Sequence, residues 1–268
     1  MIRFFAPLLL SFALTAPTFG QAPPSPVYPE PDKRGEVVIA EPAYQGHAAS
    51  APIPPGMHIR NEGGSDGAGL CVYASMVMDG AFQKIADLDL LKGSALWRYA
   101  KSRPGGSYPE KLVKDVDSVY GERATVVSYY GKDATVLDDW SRRGYPIGAT
   151  MGTGRNYQYK SIAHMISLLH YRTDGWACVL DNNFPGVYSW MPASEFDRRW
   201  KQPGGDGWAA RWEGPEPADG DRDEFTGIPD PLVFLIVVVA GGIATIVLTL
   251  LAATLGRSLV RYDTRRHD

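Results

Sequence analysis

The sequence lacks a strong excess of either charge. Its 27 lysines and arginines nearly balance 30 aspartates and glutamates, which gives a formal net charge of -3. It also lacks a basic stripe with interleaved aromatic residues, the electrostatic footprint of a nucleic-acid-binding surface. The composition therefore argues against nucleic acid as a partner.

Cysteine and histidine are scarce as well. The 268 residues include two cysteines, Cys71 and Cys178, and five histidines, whose spacing is not typical of metal ligands. His47 and His58 lie in or beside a proline-rich stretch, and His267 lies close to the C-terminus. We therefore expect no metal and no other cofactor. In an exported protein, a disulfide between Cys71 and Cys178 is the alternative to a free thiol.

Long hydrophobic runs lie at the two ends of the chain. Residues 1–22 match a signal peptide, because Arg3 precedes an apolar run that gives way to small and polar residues. Residues 232–255 carry no charge, are long enough to span a bilayer and are followed by four arginines. The positive-inside rule places that arginine-rich tail in the cytoplasm. We predict a single-pass protein of a bacterial envelope with its N-terminal domain outside the cytoplasm.

Proline content and charge divide the rest of the chain. Nine prolines between Gln21 and Pro55 predict an extended or disordered lead-in. Glycines 241 and 242 in the predicted span would allow two copies to pack as a homodimer. The predicted segments are a signal peptide (1–22), a lead-in (23–55), a folded domain (56–214), an acidic linker (215–231), a transmembrane helix (232–255) and a cytoplasmic tail (256–268).

The predicted domain has a helical first half and a strand-rich second half, so it belongs to the α+β class. Helical patterns begin at Cys71, Ala95 and Pro109. Residues rich in β-formers then predict strands at 124–130, 145–151, 162–171 and 176–180, with a short helix at 136–142. Asp174-Gly175 between the last two strands predicts a hairpin turn.

Cys71 is the first candidate for chemistry. A glycine-rich turn, Gly67-Ala68-Gly69, brings it to the predicted start of a helix. The unpaired N–H groups and positive dipole end there favour the thiolate, and the N–H of Cys71 itself can donate to an oxyanion. This segment therefore predicts a nucleophile together with one oxyanion donor.

A base and a group that orients it are predicted further along the chain. His164 lies at the start of one strand, and Asp181 and Asn182 follow the end of the next. A hairpin brings its two open ends together, so the imidazole would meet a carboxylate or a carboxamide. His170 on the same strand is a weaker alternative base.

The order Cys71, His164, Asp181-Asn182 resembles the papain-like cysteine peptidases. The resemblance covers roughly 61–200 and implies a papain-like fold and a Cys-His-Asn/Asp triad. By the papain pattern Asn182 would orient His164. The second half is most similar to the peptidase domains that trim bacteriocin leader peptides, by whose pattern the partner would be Asp181.

The sequence departs from the papain pattern before the nucleophile. Papain relatives carry a glutamine six residues earlier as an oxyanion donor, and this chain has Ser65 there. Asn61 has a suitable side chain, and the glycines that follow could fold it back. The resemblance implies a thiol hydrolase acting on a peptide or protein substrate. A transglutaminase-like acyltransferase and an inactive papain-like binding domain are the alternatives.

Overall fold

The computed structural model describes residues 28–214. The predicted signal peptide, acidic linker, transmembrane helix and cytoplasmic tail lie outside these residues. Within 28–214, no helix combines the length and the apolar character needed to cross a bilayer.

Five α-helices and nine β-strands form within the described residues. The helices are α1 (Cys71–Phe82), α2 (Ala95–Lys101), α3 (Pro109–Tyr120), α4 (Thr135–Arg142) and α5 (Ala193–Lys201). The strands are β1 (Val37–Ile39), β2 (Ala43–Tyr44), β3 (His47–Ala48), β4 (Thr125–Tyr130), β5 (Ile147–Met151), β6 (His164–Tyr171), β7 (Trp176–Leu180), β8 (Tyr188–Pro192) and β9 (Trp208–Glu213).

Seven of these strands form one antiparallel sheet. Its order is β1-β8-β7-β6-β5-β9-β4, and β2 pairs with β3 separately. Neighbours in the large sheet pair antiparallel throughout. The predicted mixed class, with a helical first half and an antiparallel sheet in the second, is confirmed.

The sheet separates two apolar cores. On one face, α1, α2 and α3 pack with alternate residues of the central strand β6, among them Met165 and Leu169. On the other face, α4 and α5 pack with Ile166 and Leu168. Because successive strand residues point to opposite faces, a strand buried on both sides is apolar along its length.

Helix α1 is the centre of the first core. Every residue from Val72 to Ala81 is buried, and a helix that is mostly apolar all round its axis must be enclosed by other elements. It lies close to the sheet because β5 presents Gly148, where a Cβ atom would lie 2.9 Å from the sulfur of Met76. Cys71, the first residue of the helix, is only partly buried and lies at the edge of this core.

The proline-rich lead-in differs from the sequence prediction. Residues 28–55 are not detached from the domain, because β1 pairs with β8 and extends the sheet. Tyr44 and Ile53 are fully buried. The short apolar run Val37-Val38-Ile39 supplies the edge strand, which the prolines around it concealed. The sequence analysis also omitted β8, α5 and β9.

The turn before Cys71 is a narrow loop closed by backbone hydrogen bonds. Gly63 and Gly69 form an isolated bridge, and the N–H of Leu70 donates to the carbonyl of Glu62 at 2.8 Å. Gly105, from the loop between α2 and α3, packs against this turn so tightly that a Cβ atom would lie 1.9 Å from the Ala68 carbonyl oxygen. Backbone of the α2–α3 loop therefore fixes the approach to α1.

We predict that Gly105→Ala destabilises the domain by about 1–3 kcal/mol, because the added methyl group overlaps a backbone atom that cannot rotate away. Urea unfolding followed by tryptophan fluorescence measures the free energy of unfolding. Gly56→Ala is the matched control, since a Cβ atom there has no neighbour within 4 Å. Equal stability of the two variants would show that the turn does not depend on Gly105.

Candidate active site

Cys71 is the first residue of α1 and lines a cleft of about 880 Å³. The cleft lies between the two halves of the domain. Tyr108 and Pro109 before and within α3 line one side, and Ile162 and His164 line the other. A half-buried thiol at a helix N-terminus thus faces open space large enough for a substrate chain.

His164 lies between Cys71 and Asp181. Its Nε2–H donates to Asp181 Oδ1 at 2.8 Å, and its imidazole lies close enough to Cys71 to lower the pKa of the thiol. Because Nε2 is occupied by the carboxylate, the nitrogen that faces the sulfur is Nδ1. The histidine and the carboxylate are both buried. This is the order of nucleophile, base and orienting acid that nucleophilic catalysis requires.

The electrostatics of the pair favour the charged form. Burial acts to raise the pKa of Cys71, but hydrogen bonding to His164, its charge, and the backbone N–H groups of Met165 and Val72 outweigh burial and lower it. Burial acts to lower the pKa of His164, but the hydrogen bonds to Asp181 and Cys71 raise it to about 9. Both shifts favour a thiolate beside an imidazolium over a neutral thiol beside a neutral imidazole.

Two further residues donate hydrogen bonds to Asp181, and neither was identified as a site residue from the sequence. The Tyr157 hydroxyl donates to Asp181 Oδ2 at 2.7 Å, and the backbone N–H of Asn183 donates to Oδ1 at 2.8 Å. Asn183 directly follows the predicted Asp181-Asn182 pair, so a polar run at a strand end was the available signal. For Tyr157 the sequence gives no signal, because it lies on an irregular loop.

Asn182 faces away from His164. Its Nδ2 donates to the carbonyl oxygens of Cys71 and Met165 and to Ser75 Oγ, at 2.9–3.0 Å. Adjacent residues at the end of a strand point in opposite directions, so only one of the two candidates can face the imidazole. The geometry pairs His164 with Asp181, and Asn182 instead joins α1 to β6.

Asn61 lies on the wall of the same cleft. Its side chain packs against the backbone of Gly69, where a Cβ atom would lie 3.2 Å from Nδ2. Nδ2 donates to Asn183 Oδ1 at 3.0 Å, while the buried Oδ1 of Asn61 has no hydrogen-bond partner among the described residues. The glycine turn thus folds Asn61 back towards the nucleophile.

The alternative base and the second cysteine lie away from Cys71, His164 and Asp181. His170 bonds to Ser50 Oγ through Nδ1 at 2.9 Å, and burial lowers its pKa to about 3, so it is neutral and away from the cleft. Cys178 is buried in β7, where burial raises its pKa, and both cysteines are free. Within residues 28–214, no group of three potential ligands could hold a metal ion.

Comparison with known proteins gives one type of match. No protein-family model matches the sequence, and no curated protein matches it. Among solved structures, the chain is similar to a double glycine motif protease from an AMS/PCAT transporter, crystallised with the leader peptide. The two are 16% identical over 53% of this chain and 82% of that one, with a TM-score of 0.33. The match names the same kind of peptidase as the sequence resemblance.

We predict two steps in the pH profile of Cys71 alkylation by iodoacetamide. The first, from the thiolate, lies below the unperturbed value of about 8.5, and the second, from His164, lies near pH 9. His164→Ala moves the first step up towards the ordinary thiol range and abolishes the second. Asp181→Asn lowers the second step by about one unit or more, because an opposite charge is lost.

Peptide mapping of the alkylated full-length chain verifies that Cys71 is the labelled residue, with Cys71→Ser as the blank. A single step near pH 8.5 in the wild-type protein would show that Cys71 and His164 do not form an ion pair.

Proposed function

We propose that the domain is a papain-like thiol peptidase in which Cys71, His164 and Asp181 cleave amide bonds. The proposal depends chiefly on one observation, the position of His164 between the Cys71 thiol and Asp181 Oδ1. The directions of the two pKa shifts support it, because a lowered thiol pKa and a raised imidazole pKa are what a working pair needs.

In the proposed mechanism the thiolate of Cys71 attacks the carbonyl carbon of a peptide bond. His164 holds the proton at Nδ1 and delivers it to the leaving amine as the tetrahedral intermediate collapses to a thioester. His164 then takes a proton from water, which attacks the thioester and releases the acid. Asp181 holds the ring in place through Nε2 and stabilises its positive charge throughout.

The oxyanion would be held at the start of α1. The Cys71 N–H belongs to the first turn, whose amides have no partner within the helix. Asn61 Nδ2, on the cleft wall beside Gly69, is the proposed second donor in place of the glutamine that the resemblance implies.

The cleft suits a peptide with apolar side chains. Tyr108 and Tyr130 line it with 58% and 67% of their surfaces exposed, which is unusual for large aromatic residues in a folded domain. A second depression of about 690 Å³ between α3 and β4 shares Pro109, Glu110 and Tyr130 with the first. We propose that an extended substrate lies along this continuous surface.

We also propose that the domain acts outside the cytoplasm on a single-pass anchor. This part depends on the sequence pattern of residues 1–22 and 232–268 and not on the described structure. Protease protection of the full chain in spheroplasts tests it, since only the membrane-spanning segment and the short tail should be shielded.

Peptidase activity is tested with the full chain purified in mild detergent and a mixed peptide library analysed by mass spectrometry. We predict cleavage by the wild-type protein and a loss of at least about 10³-fold in Cys71→Ala and in His164→Ala. Cys178→Ala, at a buried thiol remote from the cleft, is the matched control and should retain activity.

The other two candidate functions give different results in the same samples. Incorporation of a fluorescent amine into peptides without hydrolysis would indicate acyl transfer. Peptide binding without cleavage, together with an ordinary Cys71 titration, would indicate an inactive binding domain and would overturn the proposal.

For the second oxyanion donor, we predict that Asn61→Ala lowers kcat about 10²–10³-fold, the usual cost of removing one such donor. Its rate of Cys71 alkylation should not change, because iodoacetamide alkylation forms no oxyanion. Equal kcat for the variant and the wild-type protein would assign Asn61 to the turn alone.

A further inference from the structure

Both carboxylate oxygens of Asp181 accept hydrogen bonds. One of the donors, Tyr157, is not part of the proposed catalytic group of Cys71, His164 and Asp181. His164 Nε2–H donates to Oδ1, whereas the Tyr157 hydroxyl donates to Oδ2 at 2.7 Å. The Tyr157 ring also lies edge-on against the His164 imidazole, with centroids 5.8 Å apart. Hydrogen bonds to both oxygens fix the plane of a carboxylate more firmly than bonds to Oδ1 alone, which here come from His164 and the Asn183 N–H.

The direction of the Tyr157 hydrogen bond is fixed by Asn183. Asn183 Nδ2 donates to the Tyr157 oxygen at 2.9 Å, so the hydroxyl proton is directed to Asp181. Burial, followed by the charge of Asp181, raises the pKa of Tyr157, which keeps the hydroxyl protonated as a donor. Since Asn61 donates to Asn183, one chain of hydrogen bonds runs from the proposed oxyanion donor to the orienting acid.

The loop that carries Tyr157 is anchored from behind by the N-terminal segment. Glu36, buried just before β1, accepts the backbone N–H of Arg155 at 3.1 Å and Arg199 Nη2 at 2.7 Å. The Tyr159 hydroxyl donates to Asp32. Because β1 pairs with β8, these contacts tie the loop to the edge of the sheet.

We infer that Tyr157 is a positioning residue that holds Asp181 in the plane of the His164 imidazole, and that residues 32–39 hold Tyr157 in turn. This inference rests on the proposed function. The lead-in then belongs to the catalytic domain and acts through the Tyr157 loop, which lines the cleft beside His164. The ionisable groups that face this contact are Cys71 from α1, His164 from β6, Asp181 after β7, Arg155 and Tyr157 from the loop, and Glu36 before β1.

The test is Tyr157→Phe in the full chain, with iodoacetamide as the probe. A loosened carboxylate stabilises the imidazolium less, so the upper step near pH 9 should fall by about half a unit to one unit, towards that of Asp181→Asn. The lower step, set by the thiolate beside a protonated His164, should move little. Imidazole resonances followed by NMR give the His164 titration directly.

Tyr171→Phe is the matched control. Its hydroxyl donates to Asp197 Oδ1 at 2.6 Å, so the variant removes a tyrosine–carboxylate hydrogen bond of similar length away from the cleft. It should lower stability and leave both steps unchanged. In an Asp181→Asn background, Tyr157→Phe should cause no further shift, because Tyr157 acts through that carboxylate.

Two results would overturn the inference, and they are distinguishable. A two-step wild-type profile with the same upper step in Tyr157→Phe would reject the positioning role and leave the proposed peptidase intact. A shift that persists undiminished in the Asp181→Asn background would also reject it, because the Tyr157 hydroxyl would then act on the imidazole by a route that does not pass through the Asp181 carboxylate. A wild-type Cys71 that titrates as an ordinary thiol would reject both proposals.

Discussion

One buried amide, the side chain of Asn182, joins the three elements that form the site. Its Nδ2 reaches the carbonyl of Cys71 at the start of α1, Ser75 Oγ one turn later and the carbonyl of Met165 on β6. These contacts hold the first turn of the nucleophile helix against the strand that begins at His164. A buried amide N–H left without such acceptors costs about 1–3 kcal/mol. A shift of α1 along β6 would break these hydrogen bonds and is therefore unfavourable. Asn182 therefore holds the start of the nucleophile helix beside the strand that carries the base, through backbone and hydroxyl groups and not through the reacting side chains.

The pair at the site persists against burial because His164 stabilises the thiolate of Cys71, while Asp181 and then Cys71 stabilise the imidazolium of His164. Desolvation disfavours both the thiolate of Cys71 and the imidazolium of His164, and it is the largest single contribution at each group. Hydrogen bonds and the attraction between opposite charges favour the charged form of both groups, and together they outweigh desolvation. Asp181 supplies the third member, and its own charge is compensated by the donors Tyr157 and Asn183. A buried charged chain of this kind is stable only when every member keeps its partners.

Much of the architecture follows from local patterns in the sequence. Periodicity and turn residues predicted α1, α2, α3, α4 and four of the strands, because each element is bounded by glycine, proline or a change of period. The strands β1, β8 and β9 were missed for a different reason. Strands β1 and β9 pair with partners remote in the chain, as β9 does between β5 and β4, and nothing local to Trp208–Glu213 distinguishes an inserted strand from a surface segment. Strand β8 pairs with β7 directly before it, but the polar residues at 181–183 between them concealed the second strand.

The site shows the same division between local and remote information. Cys71, His164 and the Asp181-Asn182 pair could be identified because nucleophile, base and acid occur at strand or helix ends, where sequence position implies direction. The choice between Asp181 and Asn182 could not be made, because a register shift of one residue exchanges their faces. Tyr157 and Glu36 could not be identified as site residues from the sequence. Their roles arise from a loop and an edge strand 119 residues apart in sequence that meet at Arg155, so only the folded chain brings the N-terminal segment to the active site.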